Sequence, residues 1–197
     1  MHYGFIGLGN LGSKLAARLA ENGFAVTGFD TNTGFRESLE HAGVTFARSP
    51  QELASAVDHV ITCLPSPDAS SAVLDQILGA MGSDASVIEM STIGRDDAIR
   101  FAAVAEGAGV GFLELPVTGG VHLAAVGELT LLAGGPASLI ALHEPALNVM
   151  GNEVIHMGPV GSASLIKVIT NMLALVHLQV CGEALMLASR GGLDLAT

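Results

Sequence analysis

The sequence predicts an α/β fold, in which helices wind around both faces of a mainly parallel sheet, followed by one long helix. Short β-branched runs alternate with longer helical patterns over the first two-thirds of the 197 residues, the order of elements found in doubly wound domains. The strand candidates are too apolar to have one face in water, as expected for strands covered on both sides. Most connections are short and rich in glycine, proline, serine and aspartate, which favours tight turns between elements.

Eight segments have the length and composition of buried strands. They are Tyr3–Ile6, Ala25–Phe29, Thr45–Phe46, His59–Cys63, Ser86–Glu89, Gly111–Leu115, Leu129–Ala133 and Val154–His156. Helical patterns lie between them. These are Leu11–Asn22, Gly34–His41, Pro50–Ala56, Asp68–Met81, Asp96–Ala108 and Ser138–Met150. The alternation of the two sets predicts parallel strands joined by helical crossovers.

The last segment has a different pattern. After the loop Gly158-Pro159-Val160-Gly161, Ser162 or Ser164 is the expected N-cap of a helix that continues to Arg190. The Gly191-Gly192 pair supplies a natural stop. The helix is apolar on most of its circumference, so it must be buried against something. We expect it to pack against a second chain or against a further domain.

Composition and charge exclude several classes of protein. The chain has 8 Lys and Arg against 19 Asp and Glu, a formal net charge of −11, whereas nucleic-acid binders and polybasic membrane-surface proteins need a basic face. The apolar stretch 168–187 is interrupted by Asn171, His177, Gln179 and Glu183, which disfavours a membrane span. The N-terminus lacks the features of a targeting segment. We therefore expect a cytoplasmic protein that binds neither nucleic acid nor membrane, and no spacing of His and Cys predicts a metal site.

The clearest motif is Gly7-Leu8-Gly9-Asn10-Leu11-Gly12, between the first strand candidate and the first helical pattern. In this position Gly7 allows a tight turn, Gly9 lets a pyrophosphate approach the backbone, and Gly12 lets helix and strand pack closely. The helix N-terminus offers N–H groups and the positive end of its dipole to phosphates. The motif predicts a dinucleotide-binding domain of the Rossmann type, with a merely structural glycine turn as the alternative.

The acidic residue at the end of the second strand candidate bears on the choice of cofactor. The Asp30 carboxylate can accept hydrogen bonds from a ribose hydroxyl and would repel a 2′-phosphate, which favours NAD over NADP. Arg36, with the hydroxyls of Thr31 and Thr33, lies close enough in sequence to offset that repulsion. The alternative for Asp30 is a solvated turn residue.

Loops after three other strand candidates fall at the carboxyl edge of the predicted sheet, where open α/β sheets bind ligands. Leu64-Pro65-Ser66 and Ser91-Thr92 would border the cofactor. Thr118-Gly119-Gly120 offers a hydroxyl and exposed N–H groups, which suit a carboxylate. A proline-rich turn before a helix and a simple Gly-Gly turn are the structural alternatives.

Lys167 and Asn171 are four residues apart, so they lie on one face of the long helix, one turn from each other. If Lys167 faces a polar cleft, partial desolvation would lower its pKa and suit it to proton transfer. The alternative is a lysine whose stem covers apolar surface while its ammonium reaches water. The residues alone leave both interpretations open.

Taken in order, these motifs resemble the β-hydroxyacid dehydrogenase family, the group that contains 3-hydroxyisobutyrate dehydrogenase and tartronate semialdehyde reductase. The resemblance runs through the whole chain and rests on several separate motifs in the same order. They are Gly4–Gly12, Leu64–Ser66, Met90–Thr92, Pro116–Gly120, Gly127–Thr130, Gly158–Gly161, Lys167 with Asn171, and Glu183–Leu185.

The resemblance implies an oxidoreductase that transfers a hydride between NAD, less readily NADP, and a small β-hydroxy acid. Lys167 would be the general acid/base, and Asn171 would orient the substrate and the lysine. Thr118, Gly119 and Gly120 would hold the substrate carboxylate, while Thr92 and the 64–66 loop would flank the cofactor.

The resemblance also implies a division of the chain. Residues 1–161 would form the dinucleotide-binding domain, and 162–197 would be the first long helix of an all-α domain whose remainder is absent. A homodimer or larger assembly would form through the 162–190 helix.

Two departures and two alternative functions accompany this resemblance. The family usually has serine where Thr118 stands, and the added methyl group of threonine narrows the substrate pocket. The family commonly has a small residue where Leu115 stands. The first alternative function is a dinucleotide-binding module without catalysis. The second is reduction of an imine or another carbonyl, although the related imine reductases usually lack a lysine at the position of Lys167.

Overall fold

The computed structural model describes residues 1–195 and confirms the alternation of strands and helices. The strands are β1 His2–Ile6, β2 Ala25–Phe29, β3 Thr45–Phe46, β4 His59–Thr62, β5 Ser86–Glu89, β6 Gly111–Glu114, β7 Val117–Thr118, β8 Leu129–Gly134 and β9 Gly151–Gly158. The helices are α1 Gly12–Glu21, α2 Arg36–His41, α3 Pro50–Ala56, α4 Pro67–Ile77, α5 Arg95–Gly107, α6 Val121–Val126, α7 Ala137–Met150 and α8 Ser162–Arg190.

The strands form one sheet in the order β3-β2-β1-β4-β5-β6-β8-β7, and β9 pairs with β8. Neighbours from β3 to β6 are parallel, whereas β8 runs antiparallel to β6 and β7. The predicted doubly wound, mainly parallel fold is therefore confirmed. The direction of winding reverses between β1 and β4, and the crevice outside their carboxyl ends is where such sheets bind ligands.

Alternate side chains of the central strands are buried on opposite faces of the sheet. On one face Phe5 packs in a cluster with Leu15 of α1 and Leu147 of α7. On the other face Ile6 belongs to a cluster that contains Phe101 of α5. Each fully buried side chain of this size contributes about 1.5–3 kcal/mol, so both helical layers are fixed to the sheet and position the loops at its carboxyl edge.

Two elements were not among the predicted ones. The two-residue strand β7 and the short helix α6 both lie in the segment that follows β6. Helix α6 is flanked by Gly120 at its N-cap and Gly127 at its C-cap, whose φ angles are 84° and 75°. Elements this short have no measurable hydrophobic period in the sequence. Strand β7 forms because it pairs with β8, and α6 forms because it packs against the domain.

The start of α8 corrects a second expectation. Neither Ser162 nor Ser164 is the N-cap; Gly161 occupies that position with φ of 95°. The helix nonetheless spans Ser162–Arg190 as predicted. The predicted division into 1–161 and 162–197 stays a prediction, and residues 196 and 197 of the second segment lie outside the described part of the chain.

Beyond its first turn, α8 has its apolar side chains largely exposed. Leu175, Leu178 and Leu187 are 67 %, 72 % and 73 % exposed, so the face that the sequence requires to be buried is open in the single chain. By length and composition alone the helix is long enough and apolar enough to cross a membrane. The same length and composition also suit a helix that other protein covers.

A buried polar network crosses the amino-terminal end of the sheet. His143 of α7 lies within 3.0 Å of the Tyr3 hydroxyl through Nδ1 and within 2.8 Å of Ser86 Oγ through Nε2. Ser86 Oγ is also 3.0 Å from Nδ1 of His59. Burial and the neighbouring His59 lower the pKa of His143 to about 4.

This network predicts that the fold loses stability in mild acid. Because the pKa of His143 is lower in the folded than in the unfolded chain, its contribution is complete above the ordinary histidine value and is lost as the pH falls towards 4. The difference amounts to about 2 kcal/mol at pH 5. We expect urea unfolding of wild type and His143→Gln at pH 7.5 and 5 to show a smaller pH-induced loss in the variant; equal losses would contradict this origin.

Candidate functional site

The three motif glycines each meet a different local requirement. Gly7 has φ of 95°, and a Cβ there would overlap the carbonyl oxygen of Cys63. A Cβ on Gly12 would overlap the carbonyl oxygen of Gly7, so helix α1 packs directly against the turn. A Cβ on Gly9 would meet nothing within 4 Å. Gly7 and Gly12 therefore serve the fold itself, whereas the lack of a side chain at Gly9 leaves open space beside the backbone.

That open space is lined by backbone donors. Within residues 1–195, the N–H groups of Gly9, Asn10 and Leu11 donate to no protein acceptor, while the Ser13 N–H already donates to the Gly9 carbonyl. Free N–H groups at the N-terminus of a helix attract anions through hydrogen bonds and through the helix dipole. The residues present therefore fit the pyrophosphate of a dinucleotide.

Asp30 ties the glycine turn to the end of β2. Its Oδ2 accepts the Leu8 N–H at 2.6 Å, and its Oδ1 accepts the Asn32 N–H at 2.7 Å. The sequence indicated a ribose ligand or a solvated turn residue, and the structure adds a positioning role for the turn. Each carboxylate oxygen keeps a second lone pair, so a ribose hydroxyl can still bind.

A cavity of about 540 Å³ lies between the glycine turn, the end of β2 and the loop after β4. It brings together most of the predicted cofactor-binding residues. From that set the cavity is lined by Gly7, Gly9, Asn10, Leu11, Gly12, Asp30, Leu64 and Pro65. Leu8, Ser66 and Thr92 are not among its lining residues in the described chain. Thr31, whose hydroxyl the sequence suggested as a contact for a 2′-phosphate, also lines it, as do Asn32 and Cys63, which were not predicted.

Arg36 lines a smaller neighbouring cavity of about 150 Å³ together with Asp30 and Phe46, and its side chain is already engaged. Its Nε donates to Glu40 Oε1 at 2.9 Å, and its guanidinium lies 4.7 Å from the centroid of the Phe46 ring. An exposed pair of this kind is weak. Even so, the local geometry directs the guanidinium towards α2 and Phe46.

The loop Leu64-Pro65-Ser66 is held by a chain of hydrogen bonds that starts at a buried acid. The Leu64 N–H donates to Ser91 Oγ at 2.8 Å, and the Ser91 N–H donates to Glu89 Oε1 at 2.8 Å. Glu89 is fully buried and its Oε2 has no hydrogen-bond partner in the described chain. Burial raises the pKa of Glu89, and the hydrogen bond from Ser91 makes Glu89 a support for the loop.

Cys63, on the cavity wall, is a poor nucleophile. Burial, with a smaller contribution from the Glu89 carboxyl, raises the pKa of its thiol to about 12. The thiolate is the reactive form of cysteine, so this side chain acts as apolar wall.

The predicted carboxylate loop leaves the sheet through β7. Thr118 pairs with Thr130 of β8 and is half-buried, whereas Gly119 and Gly120 are exposed with φ of 127° and 84°. These left-handed conformations require glycine. The loop therefore combines one partly sheltered hydroxyl with exposed backbone, as the predicted carboxylate contact requires.

Lys167 and Asn171 are half-buried on α8, on a helix whose residues from 165 to 187 are otherwise exposed. Partial burial lowers the pKa of Lys167. Neither residue lines the 540 Å³ cavity in the described chain. Between residues 165 and 187, the partial burial of Lys167 and Asn171 marks the face of α8 that turns towards the rest of the domain. The catalytic role of this pair stays a prediction.

Glu114, the last residue of β6, fills a position at which the family resembled by the sequence normally has an acid, but the sequence assigned it no function. Its side chain is fully buried. Oε1 accepts the N–H groups of Gly161 and Ala163 at 2.7 and 2.9 Å, and Oε2 accepts the N–H and hydroxyl of Ser164 at 3.3 and 2.6 Å. The signal in the sequence is an acid at the end of an apolar strand, repeated at Glu89, its Cα partner in β5.

Comparisons with known proteins agree with this geometry. Residues 2–158 match the family model of the NAD-binding domain of 6-phosphogluconate dehydrogenase. Mitochondrial 3-hydroxyisobutyrate dehydrogenase of Rattus norvegicus is 34% identical over 194 residues, 97% of this chain and 58% of that protein. The chain therefore spans little more than half the length of this relative.

Two solved structures share the fold of this chain. The 3-hydroxyisobutyrate dehydrogenase of Mycobacterium tuberculosis with L-serine has a TM-score of 0.92 and 34% identity, over 99% of this chain and 68% of that one. An imine reductase of Myxococcus stipitatus with NADP+ has the same TM-score but 22% identity, over 100% of this chain and 68% of that one. The second likeness concerns the fold alone. Through the family model and the mycobacterial relative, the chain belongs to the β-hydroxyacid dehydrogenase family.

Proposed function

We propose that this protein is a nicotinamide-dependent dehydrogenase of small β-hydroxy acids. The observation that carries the proposal is the half-buried Lys167 with Asn171 one helical turn away, in a chain whose glycine turn fits a dinucleotide pyrophosphate. A lysine of lowered pKa is suited to exchange a proton with a hydroxyl group. The relatives named for 3-hydroxyisobutyrate support the substrate class.

The dinucleotide would be held by the N–H groups of the glycine turn, by Asp30 and by the wall at Leu64 and Pro65. When bound, it supplies the acceptor or donor of the hydride. For alcohol oxidation, the neutral amine of Lys167 accepts the hydroxyl proton of the substrate; for reduction, its ammonium returns that proton to the carbonyl oxygen. The Asn171 amide orients the substrate oxygen, and Thr118, Gly119 and Gly120 hold the carboxylate.

NAD is the proposed cofactor, with NADP less favoured. Asp30 presents a carboxylate beside the position of the ribose, and Arg36 is paired with Glu40 and Phe46. Asp30 would repel a 2′-phosphate, and Arg36 would have to leave Glu40 and Phe46 to offset that repulsion. Exchange of Asp30 for a neutral residue should reduce the preference for NAD.

The test mixes the chain with NAD or NADP and a panel of small β-hydroxy acids, including 3-hydroxyisobutyrate and L-serine, and follows reduced nicotinamide by absorbance. Turnover with these acids and a higher kcat/KM with NAD support the proposal. Binding of reduced cofactor without turnover would favour a non-catalytic dinucleotide-binding module. Turnover with cyclic imines but not with hydroxy acids would favour an imine reductase.

We also propose a cytoplasmic homodimer or larger assembly that forms through the 162–190 helix. The support is the row of exposed apolar residues on α8, which is unusual for a free surface. Sedimentation at micromolar concentration should show at least a dimer, and Leu178→Glu should shift it towards monomer. A well-behaved wild-type monomer, or a chain that sediments only with added vesicles, would contradict the proposal.

A further inference from the structure

The start of α8 depends on one side chain that belongs to the sheet. The first N–H groups of any helix lack intrahelical partners, and a side chain at the N-cap usually accepts one of them. Gly161 is the N-cap here and has no side chain. The Glu114 carboxylate accepts the hydrogen bonds instead and links the helix to the last residue of β6.

Within the described chain α8 also contacts α5, β8 and β9, but few of its side chains are buried there. Only Ala163 and Ser164 of α8 are buried, and Lys167 and Asn171 lie beyond them. Asn171 is seven residues past Ser164, about 10.5 Å along the axis. A tilt of about 6° at the first turn would therefore move Asn171 by about 1 Å, a displacement that is sufficient to cost about 100-fold in rate.

The same residue is linked to the carboxylate loop. Glu114 lies four positions before Thr118, and its backbone pairs with Gly134 of β8. Its side chain fits only because residue 134 has none: a Cβ there would overlap Glu114 Oε1 and lie 2.7 Å from Glu114 Cδ. The sheet thus fixes the carboxylate, and the carboxylate fixes the first turn of α8.

We propose that Glu114 is a positioning residue for Lys167 and Asn171: its buried carboxylate, which accepts four hydrogen bonds from residues 161–164, fixes α8 relative to the 118–120 loop. The inference rests on the proposed function of Lys167. It assigns to Glu114 no contact with substrate or cofactor. Its effect on turnover is exerted through the position of the helix.

Three variants and one control test this role. Glu114→Ala removes the carboxylate, Glu114→Gln keeps one acceptor oxygen in nearly the same shape, and Gly134→Ala displaces the carboxylate without changing its charge. Ser86→Ala is the matched control, because it breaks a buried polar network at the opposite end of the sheet. Urea unfolding of all four measures how much stability each loses.

For turnover, we expect kcat to fall about 100-fold in Glu114→Ala and Gly134→Ala and less in Glu114→Gln. The dissociation constant for reduced cofactor should stay within about twofold, since the dinucleotide cavity does not include α8. Ser86→Ala should keep its kcat at a similar loss of stability. A merely structural Glu114 would lower kcat no more than this control does.

A second readout does not need turnover. The chain contains two lysines, Lys14 and Lys167, so reductive ¹³C-methylation gives one NMR titration for each, beside that of the N-terminus. Lys14 is exposed and serves as the internal reference. When α8 is released, the Lys167 pKa should rise towards the ordinary lysine value in Glu114→Ala and Gly134→Ala, and should not move in Ser86→Ala.

The two readouts separate the possible failures. If wild type shows no turnover but the Lys167 titration moves as expected, the proposed function fails and the positioning role of Glu114 stands. If Lys167 titrates in Glu114→Gln and Gly134→Ala as it does in wild type, with unchanged kcat, the positioning role is wrong. The second result is informative even where Glu114→Ala does not fold.

Discussion

Replacement of Lys167 by alanine is expected to lower turnover of a β-hydroxy acid by about 1,000-fold, within the range lost when a general acid/base is removed. The variant loses the group that exchanges a proton with the substrate oxygen. Binding of reduced nicotinamide cofactor should remain nearly unchanged, since Lys167 does not line the dinucleotide cavity in the described chain. Steady-state kinetics and fluorescence titration of reduced cofactor measure the two effects separately.

The pH dependence of the wild type gives an independent check. In the direction of alcohol oxidation the neutral amine is the active form, so kcat should rise with pH through the Lys167 pKa and level off above it. Burial places that pKa below the ordinary lysine value. In the direction of reduction the dependence should be reversed, because the ammonium is then the active form.

Two controls make the result specific to the amine. Lys167→Arg keeps the positive charge but cannot lose a proton at ordinary pH, so it should be nearly as inactive as Lys167→Ala. Lys14→Ala removes the other lysine, which is exposed, and should leave kcat unchanged. Turnover retained in both Lys167 variants would falsify the assignment of Lys167 as the acid/base.

The second large effect is expected at Gly9 and separates binding from folding. Gly9→Ala adds a methyl group that meets no protein atom within 4 Å, at a residue whose φ lies outside the left-handed region. The free energy of unfolding should therefore change by less than about 0.5 kcal/mol. Because the methyl occupies the space assigned to the pyrophosphate, affinity for the dinucleotide should fall at least about 30-fold, or about 2 kcal/mol.

Gly12→Ala, at the third glycine of the same motif, is the matched comparison. Its methyl would overlap the Gly7 carbonyl oxygen and lie 3.0 Å from the Phe5 ring, so about 1–3 kcal/mol of stability should be lost together with binding. Calorimetry of unfolding and titration with reduced cofactor give both quantities for each variant. Equal affinity of Gly9→Ala and wild type would show that no dinucleotide pyrophosphate lies at this turn.

The local sequence pattern predicted most of the helices and strands. Apolar β-branched runs such as β2 and β5 were predicted at their observed bounds, because strands buried on both faces have an unmistakable composition. Helix α8 was predicted over its full length, since the mainly apolar helical pattern between two glycine loops contains only one helix-breaking residue, Gly182. The glycine turn and Asp30 were also found from spacing, because a tight turn and close packing leave few residue choices.

The sequence by itself therefore determined most of the helices and strands, the mainly parallel character of the sheet and the residue types of the candidate site. Only the tertiary structure decided which groups support that site: Glu114 with the first turn of α8, Glu89 with the 64–66 loop, and Gly134 as the space that Glu114 fills. The contacts of Leu64 with Ser91, of Ala163 with Glu114 and of Gly134 with Glu114 join residues 20 to 49 positions apart. No local sequence pattern indicates such pairs, because a buried carboxylate is stabilised only by hydrogen-bond donors that the fold brings to it.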